Sequence, residues 1–240
     1  MAISTSISRL AAYYARHGFG TTVRRLALWA RRTLFSSRMV LFYCDLATQS
    51  SPTADMPSKL KVERIKHQSD LSPQDFKEIT SFWNPKLARR KIEERFELGA
   101  AVWLIKVEDN LAGYGWTLQG RTVEPHYFPL GKDDVQFLDF HVFPKYRGRA
   151  LDWFLMTHIL HRLAAEGRAR AFGEAAEWNK ASLSSFAMTP FRRLGWGRKF
   201  TVLGRTFVCW SADEPEPQRQ TSTDKLPGRV SNRTTSQEKA

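Results

Sequence analysis

Two hydrophobic periods alternate along this chain, and each switch between them marks an element. From Thr21 to Phe35, Val23, Leu26, Ala27, Ala30 and Leu34 recur at helical spacing while Arg24, Arg25, Arg31 and Arg32 crowd the other side. That pattern predicts a basic amphipathic helix. Met39–Tyr43 reads as a short strand, and a Ser/Pro-rich linker follows up to Pro57. Period-2 alternation predicts strands over Leu60–Ile65, Ala101–Val107, Leu111–Leu118, Val135–Phe143, Ala169–Ala175 and Lys199–Trp210. Glu108-Asp109-Asn110 is expected to turn the second of these into the third as a hairpin. Ser72-Pro73 with Asp75 opens a helix, because serine caps and proline suits the first turn. Further helices are predicted over Lys86–Leu98, stopped by Gly99, over Leu151–Ala165 and over Lys180–Leu194. The result is one α/β (α+β) domain over 57–210, preceded by a basic extension over 1–56 and followed by a tail over 211–240. The tail is rich in Pro, Ser, Thr, Gln and charge, and is expected to be disordered.

Composition sharpens this reading. The 240 residues include 42% hydrophobic and 12% aromatic residues, enough for a sizeable core and incompatible with wholesale disorder. The net charge is +13, and the first 50 residues hold seven arginines against Asp45 alone. Such an excess favours anionic partners, and residues 1–47 are candidates for peripheral contact with an anionic membrane surface. No stretch approaches the roughly 18 apolar residues of a membrane span. The first residues carry no basic-then-apolar secretory pattern. With only Cys44 and Cys209, neither a disulfide framework nor a four-ligand zinc site can form, so a reducing cytoplasmic setting is expected, at the inner face of the membrane if the extension binds there. His158 and His161 lack companions at metal-ligand spacing, so no metal is expected. Nucleic-acid recognition motifs are missing despite the charge.

The chemistry concentrates in Phe137–Gly167. A strand ending at Val142-Phe143 is broken by Pro144, which supplies no ladder donor. Lys145-Tyr146-Arg147-Gly148-Arg149-Ala150 then runs directly into an apolar helix. Gly148 allows close backbone approach, Ala150 keeps the wall low, and the first amides of the helix have no internal partner. With the cationic side chains of Lys145, Arg147 and Arg149, this is an anion cradle.

These residues resemble the acetyl-CoA pyrophosphate loop of the GNAT superfamily of N-acetyltransferases, Arg/Gln-x-x-Gly-x-Gly/Ala, with Lys145 at the first position. Val142-Phe143-Pro144 is similar to the strand end that precedes that loop. Glu174-Ala-Ala-Glu177-Trp-Asn179-Lys-Ala-Ser182 and Phe191-Arg-Arg-Leu-Gly195-Trp196 resemble the family's later motif, and the element order from Lys59 to Trp210 agrees with it. The resemblance implies a GNAT-like mixed, mostly antiparallel sheet flanked by helices, with acetyl-CoA as cosubstrate and a primary amine as acceptor. It implies cofactor contacts at Val142, Phe143, Lys145 to Ala150 (Tyr146 included) and Asn179, and a backbone N–H near Val142 for the developing oxyanion. Glu174, five residues before Asn179, matches the position of the base in some amino-terminal acetyltransferases, while Asp139 and His141, on one face of the preceding strand, compete for that role.

One departure bears on activity. The family's later motif commonly carries a tyrosine able to protonate the leaving thiolate, and here the two countings reach Phe186 and Phe191, which cannot donate. Tyr114, Tyr127, Tyr146 or water remain as proton sources. The alternative reading is a non-catalytic CoA- or protein-binding module recruited by its basic N-terminus. The acceptor itself is expected to be chosen by variable segments such as Arg121–Asp134.

Overall fold

A computed structural model of the chain describes residues 38–49, 57–82, 84–202, 205–213 and 233–234. The helix expected over Thr21–Phe35, most of the linker and most of the tail lie outside them. Among the described residues nine strands form one sheet: β1 (Met39–Asp45), β2 (Leu60–Ile65), β3 (Ala101–Val107), β4 (Asn110–Gln119), β5 (Asp134–Val142), β6 (Arg170–Ala176), β7 (Arg192–Val202), β8 (Arg205–Ala212) and β9 (Arg233–Thr234). The helices are α1 (Pro73–Phe82), α2 (Pro85–Glu97), α3 (Leu151–Ala165) and α4 (Lys180–Ala187). The strand order is β2-β3-β4-β5-β6-β1-β7-β8-β9. All neighbours are antiparallel except β5 and β6. The expected mixed, mostly antiparallel sheet flanked by helices is therefore present.

Local chemistry explains several boundaries. Ser72 Oγ accepts from Asp75 N–H at 3.0 Å and donates to Asp75 Oδ2 at 2.7 Å, a reciprocal cap for α1. Asn84 accepts from Leu87 N–H to start α2, with Pro85 just inside it. Glu108 and Asp109 both take positive φ, 50° and 65°, as the tight two-residue connection between β3 and β4 requires.

Each sheet face has its own core. Ile79 of α1 and Ile92 of α2 pack with Val102, Leu104, Trp116 and Leu118 on one face. Leu155, Met156, Ile159 and Leu163 of α3 pack with Trp103, Ile105, Val135 and Phe137 on the other, where Phe186 of α4 joins them. Burying a leucine-sized side chain removes about 1.5–3 kcal/mol of water-exposed cost each, so α3, apolar on most sides, is the main weight on its face.

The structure departs from expectation in four places. The helix expected over Lys180–Leu194 ends at Ala187. Thr189 turns back onto Phe186 O, and Pro190 disfavours a helical conformation in the residue before it, so Arg192 begins β7. The strand expected over Lys199–Trp210 is two strands, β7 and β8, paired antiparallel. Beyond the expected tail boundary, Ser211 and Ala212 continue β8 opposite Trp196 and Gly195, and Arg233–Thr234 pairs with β8. Finally, β1, placed in sequence within the N-terminal extension, lies inside the sheet between β6 and β7. The sequence division at residue 56 thus separates two pieces of one sheet.

Candidate functional site

The parallel pair β5–β6 is short. Asp134, Val135 and Gln136 face Arg170, Ala171 and Phe172, and there the pairing stops. At its closed end Arg170 makes two bonds of 2.9 Å to the buried Asp134 carboxylate, which also accepts from Gly131 N–H at 2.8 Å. Beyond Gln136 the two strands diverge. A cluster of rings fills the α3–α4 side of the opening: Phe42 stacks on Phe186 at 4.3 Å, and Phe137 meets Phe191 at 5.1 Å. A Cβ on Gly173 would stand 2.7 Å from the Phe186 ring, so glycine is required there for α4 to lie this close. Both Phe186 and Phe191 are buried hydrocarbon, and neither can serve as an acid.

The register of β5 directs its backbone. Phe143 N–H donates to Ala112 O at 2.9 Å, which makes 112 and 143 a hydrogen-bonded pair. The next pair, Gly113 and Val142, then turns the Val142 N–H and C=O away from β4, toward the side β6 has left. Arg147 Nε reaches that carbonyl at 3.3 Å, in agreement. Past Val142 the chain forms a short 3₁₀ turn at Pro144–Tyr146 and enters α3. Gly148 has φ +77° with open space around its Cβ position, and Ala150 has φ +54°. An alanine in the left-handed region carries about 1–2 kcal/mol of strain, the kind of local cost found where a loop is shaped for a ligand. No side chain caps α3, so its first amides face outward. Lys145 and Arg149 flank the Tyr146 ring at 5.3 and 5.7 Å.

At the point where the strands part lies a small pocket with room for about one water molecule. Leu41, His126, Phe128, Gln136, Phe172 and Glu174 line it together with Phe42, Phe137 and Gly173. From Gln136 in the pocket, β5 runs six residues to its end at Val142, about 20 Å at strand rise, and the Lys145–Ala150 loop follows. The Lys145–Ala150 loop, outward Val142 N–H and pocket therefore follow one another along β5 and its continuation, a lining with the length for a slender ligand.

The three sequence-predicted bases lie in different surroundings. Asp139 sits at a bulge of β5 with φ 42°. Lys91 bonds it at 2.7 Å and Arg95 closes on the same oxygen. Burial pushes its pKa up, but Arg95 and Lys91 outweigh that and hold the carboxyl below its ordinary range. His141 lies against Tyr114 and Phe143, and burial, with help from Arg147, lowers its pKa. Glu174 lies in the pocket wall on β6, opposite Leu41 of β1, with Lys199 Nζ at 3.4 Å. Asn179 spends its side chain on the α4 cap, accepting from Ser182 N–H at 3.3 Å and donating to Ser182 Oγ at 2.7 Å.

One pocket group, His126, escaped sequence reasoning because it belongs to an irregular segment, Arg121–Asp133, beside the sheet; the next residue, Tyr127, was already a candidate proton source. Tyr127 is buried, its ring where a Cβ on Gly197 would fall, with Lys199 Nζ 4.6 Å above it. Burial and the Glu174 carboxylate push its hydroxyl pKa far up. His126 Nδ1 lies 2.9 Å from Phe128 O. Burial lowers its pKa below the ordinary histidine value. Among the described residues, no cluster of three His, Cys, Asp or Glu could hold a metal ion, and no helix is long and apolar enough to cross a membrane.

The lowered histidines predict a pH dependence of stability. His126, His141 and His158 all have folded pKa values below the unfolded value of about 6.5. Their contribution is present above that pH and is lost as pH falls through the folded values. The melting temperature is expected to decline from about pH 6.5 downward, well before ordinary carboxylates titrate near pH 4, and His158→Gln should flatten the decline. A constant melting temperature between pH 7 and 5 would contradict this.

No protein-family model and no curated protein matches the chain. Among solved structures, an acetyltransferase of the GNAT family from Colwellia psychrerythraea matches at TM-score 0.46 and 11% identity, covering 66% of this chain and 53% of that one. A tandem GNAT protein of clavulanic acid biosynthesis matches at 0.47 and 17%, covering 65% and 50%. A GNAT-family protein from Novosphingobium aromaticivorans matches at 0.43 and 16%, covering 65% and 60%. The chain thus spans half to three fifths of these relatives' length. At such identities the likeness concerns the course of the chain alone.

Proposed function

We propose that this chain is an acetyl-CoA-dependent N-acyltransferase that passes an acetyl or other small acyl group directly to a primary amine. The supporting observation is the alignment along β5 of cradle, outward Val142 N–H and pocket. The outward amides of Gly148 to Asp152, with Lys145 and Arg149, would hold the pyrophosphate. The thioester arm would run along the unpaired side of β5, its carbonyl meeting an outward amide of that strand as charge develops. Glu174, in the pocket wall, would receive the acceptor's ammonium as its counter-charge. Catalysis would then be mostly positioning and preorganised electrostatics.

Tyr127 is a poor proton donor, since burial strengthens its hold on its own proton. The departing sulfur would take its proton from the acylated nitrogen, directly or through water. A second reading, a CoA-binding module without turnover, is favoured by the two phenylalanines and by Lys199 beside Glu174. Thiol release from acetyl-CoA across a panel of amines separates the two.

The cradle is tested by Gly148→Glu. The new side chain imposes strain at φ +77° and places a negative charge among the amides, so acetyl-CoA affinity measured by calorimetry should fall at least about tenfold, 1.4 kcal/mol. Unchanged affinity in a folded variant would remove the cofactor assignment. Membrane contact also belongs to this proposal. Within 1–47, Val40, Leu41, Phe42 and Cys44 are buried in the sheet, so contact would fall to residues before Arg38.

A further inference from the structure

We infer that His126 takes the proton from the acceptor's ammonium, while Glu174 binds and orients that cation; this rests on the acyl-transfer reading above. Nδ1 of His126 lies 2.9 Å from a carbonyl oxygen, Phe128 O, which has only lone pairs to offer, so Nδ1 must carry the hydrogen. The neutral ring then has its lone pair on Nε2. The residue's backbone is held as well, since His126 N–H donates to Glu124 Oε2 at 3.0 Å. Phe128, which holds the tautomer, packs on Phe172 of β6 and Trp210 of β8 at 5.4 and 5.0 Å. An imidazole with a defined tautomer is thus anchored to the sheet in the same pocket as Glu174.

The two candidate carboxylates are less suited to the task. Asp139 is neutralised by Lys91 and Arg95. Glu174 already faces Lys199, and a carboxylate that holds one cation is a good site for exchanging one ammonium for another. The charged groups around His126 are Glu124 on its own segment, Glu174 on β6 and Lys199 on β7. The first two favour imidazolium, while Lys199 and burial oppose it, and burial prevails. The ring therefore stays neutral near pH 7 and ready to accept.

The step balances as follows. One ammonium proton passes to His126 Nε2, freeing the nitrogen lone pair. The nitrogen forms a bond to the thioester carbonyl carbon, and the carbon–sulfur bond breaks as the adduct collapses. A second nitrogen proton ends on the CoA sulfur, and His126 returns its proton to solvent.

The test compares His126→Asn, whose amide can still donate to Phe128 O, with Glu174→Gln. Wild type should show an acidic limb in kcat/KM with a midpoint below about 6.5. His126→Asn should lose that limb and roughly 10²–10⁴-fold of kcat, with acetyl-CoA binding by calorimetry unchanged. Glu174→Gln should keep the limb and raise the acceptor KM. Nitrogen-detected NMR of the wild-type protein at pH 7 should find His126 protonated on Nδ1 alone. Near-normal turnover with an intact limb in a folded His126→Asn protein, or a hydrogen on Nε2 at pH 7, overturns the proton-acceptor role. Wild type that binds acetyl-CoA but releases no thiol with any amine overturns the acyl-transfer reading, and the role falls with it.

Discussion

A chain beginning at Arg38 is expected to fold with all nine described strands, and a chain beginning at Ala47 to be insoluble or unfolded. The difference between them is β1, which pairs along Met39–Asp45 with β6 on one side and along Met39–Tyr43 with β7 on the other. Its loss would leave two unpaired strand edges in the middle of the sheet and remove Val40, Leu41, Phe42 and Cys44 from the core. Taking about 1.5–3 kcal/mol per buried side chain of valine size or larger, the lost burial alone rivals the 5–15 kcal/mol by which domains are stable. Circular dichroism and solubility of the two truncations decide it. A folded protein starting at Ala47 would show that β7 can close directly on β6. Full-length protein that binds anionic vesicles, beside a Arg38-start protein that does not, would assign membrane contact to the earlier residues.

Asp134→Ala should cost about 2–3 kcal/mol in urea denaturation. Asp134 is 2% exposed and accepts from both Arg170 nitrogens and from Gly131 N–H. Removing one partner of a buried pair costs about 3–5 kcal/mol. The lower figure follows because the Arg170 side chain, 38% exposed, can recover some hydration. At about 2–4 °C per kcal/mol for a chain of this size, the melting temperature should drop by roughly 5–10 °C. A loss under about 0.5 kcal/mol would place the pair among surface bridges of little weight. Because the pair clamps the closed end of the β5–β6 divergence, acetyl-CoA affinity should weaken along with stability.

What was legible in the sequence was local. The turn at Glu108-Asp109, the stop at Gly99 and the bounds of α3 follow from residues within a few positions of each other, and so does the shape of the 145–150 loop, whose glycine, alanine and helix start are contiguous. What was not legible depends on partners far along the chain. Nothing in MVLFYCD says that it pairs with a strand more than a hundred residues later. Asp139 reads as an available carboxylate until α2 brings Lys91 and Arg95 onto it. The end of α4 was misplaced because Phe191 and Leu194 continue an apolar helical period that Pro190 interrupts. His126 sits in EPHYF, with no period and no motif, and its tautomer depends on a carbonyl two residues away in a segment whose course is set by Phe172 and Trp210.

The position of β1 also has a consequence for synthesis. It leaves the ribosome before every other described strand, yet its neighbours begin roughly 130 and 150 residues later, on the order of 10 s at 5–20 residues per second. Throughout that interval an apolar strand with two open edges has no native partner, and its contacts are of the long-range kind that slows folding. Expression of this protein should therefore depend on whatever shields residues 39–45 until β6 and β7 emerge, and slower elongation should lengthen its exposure to aggregation.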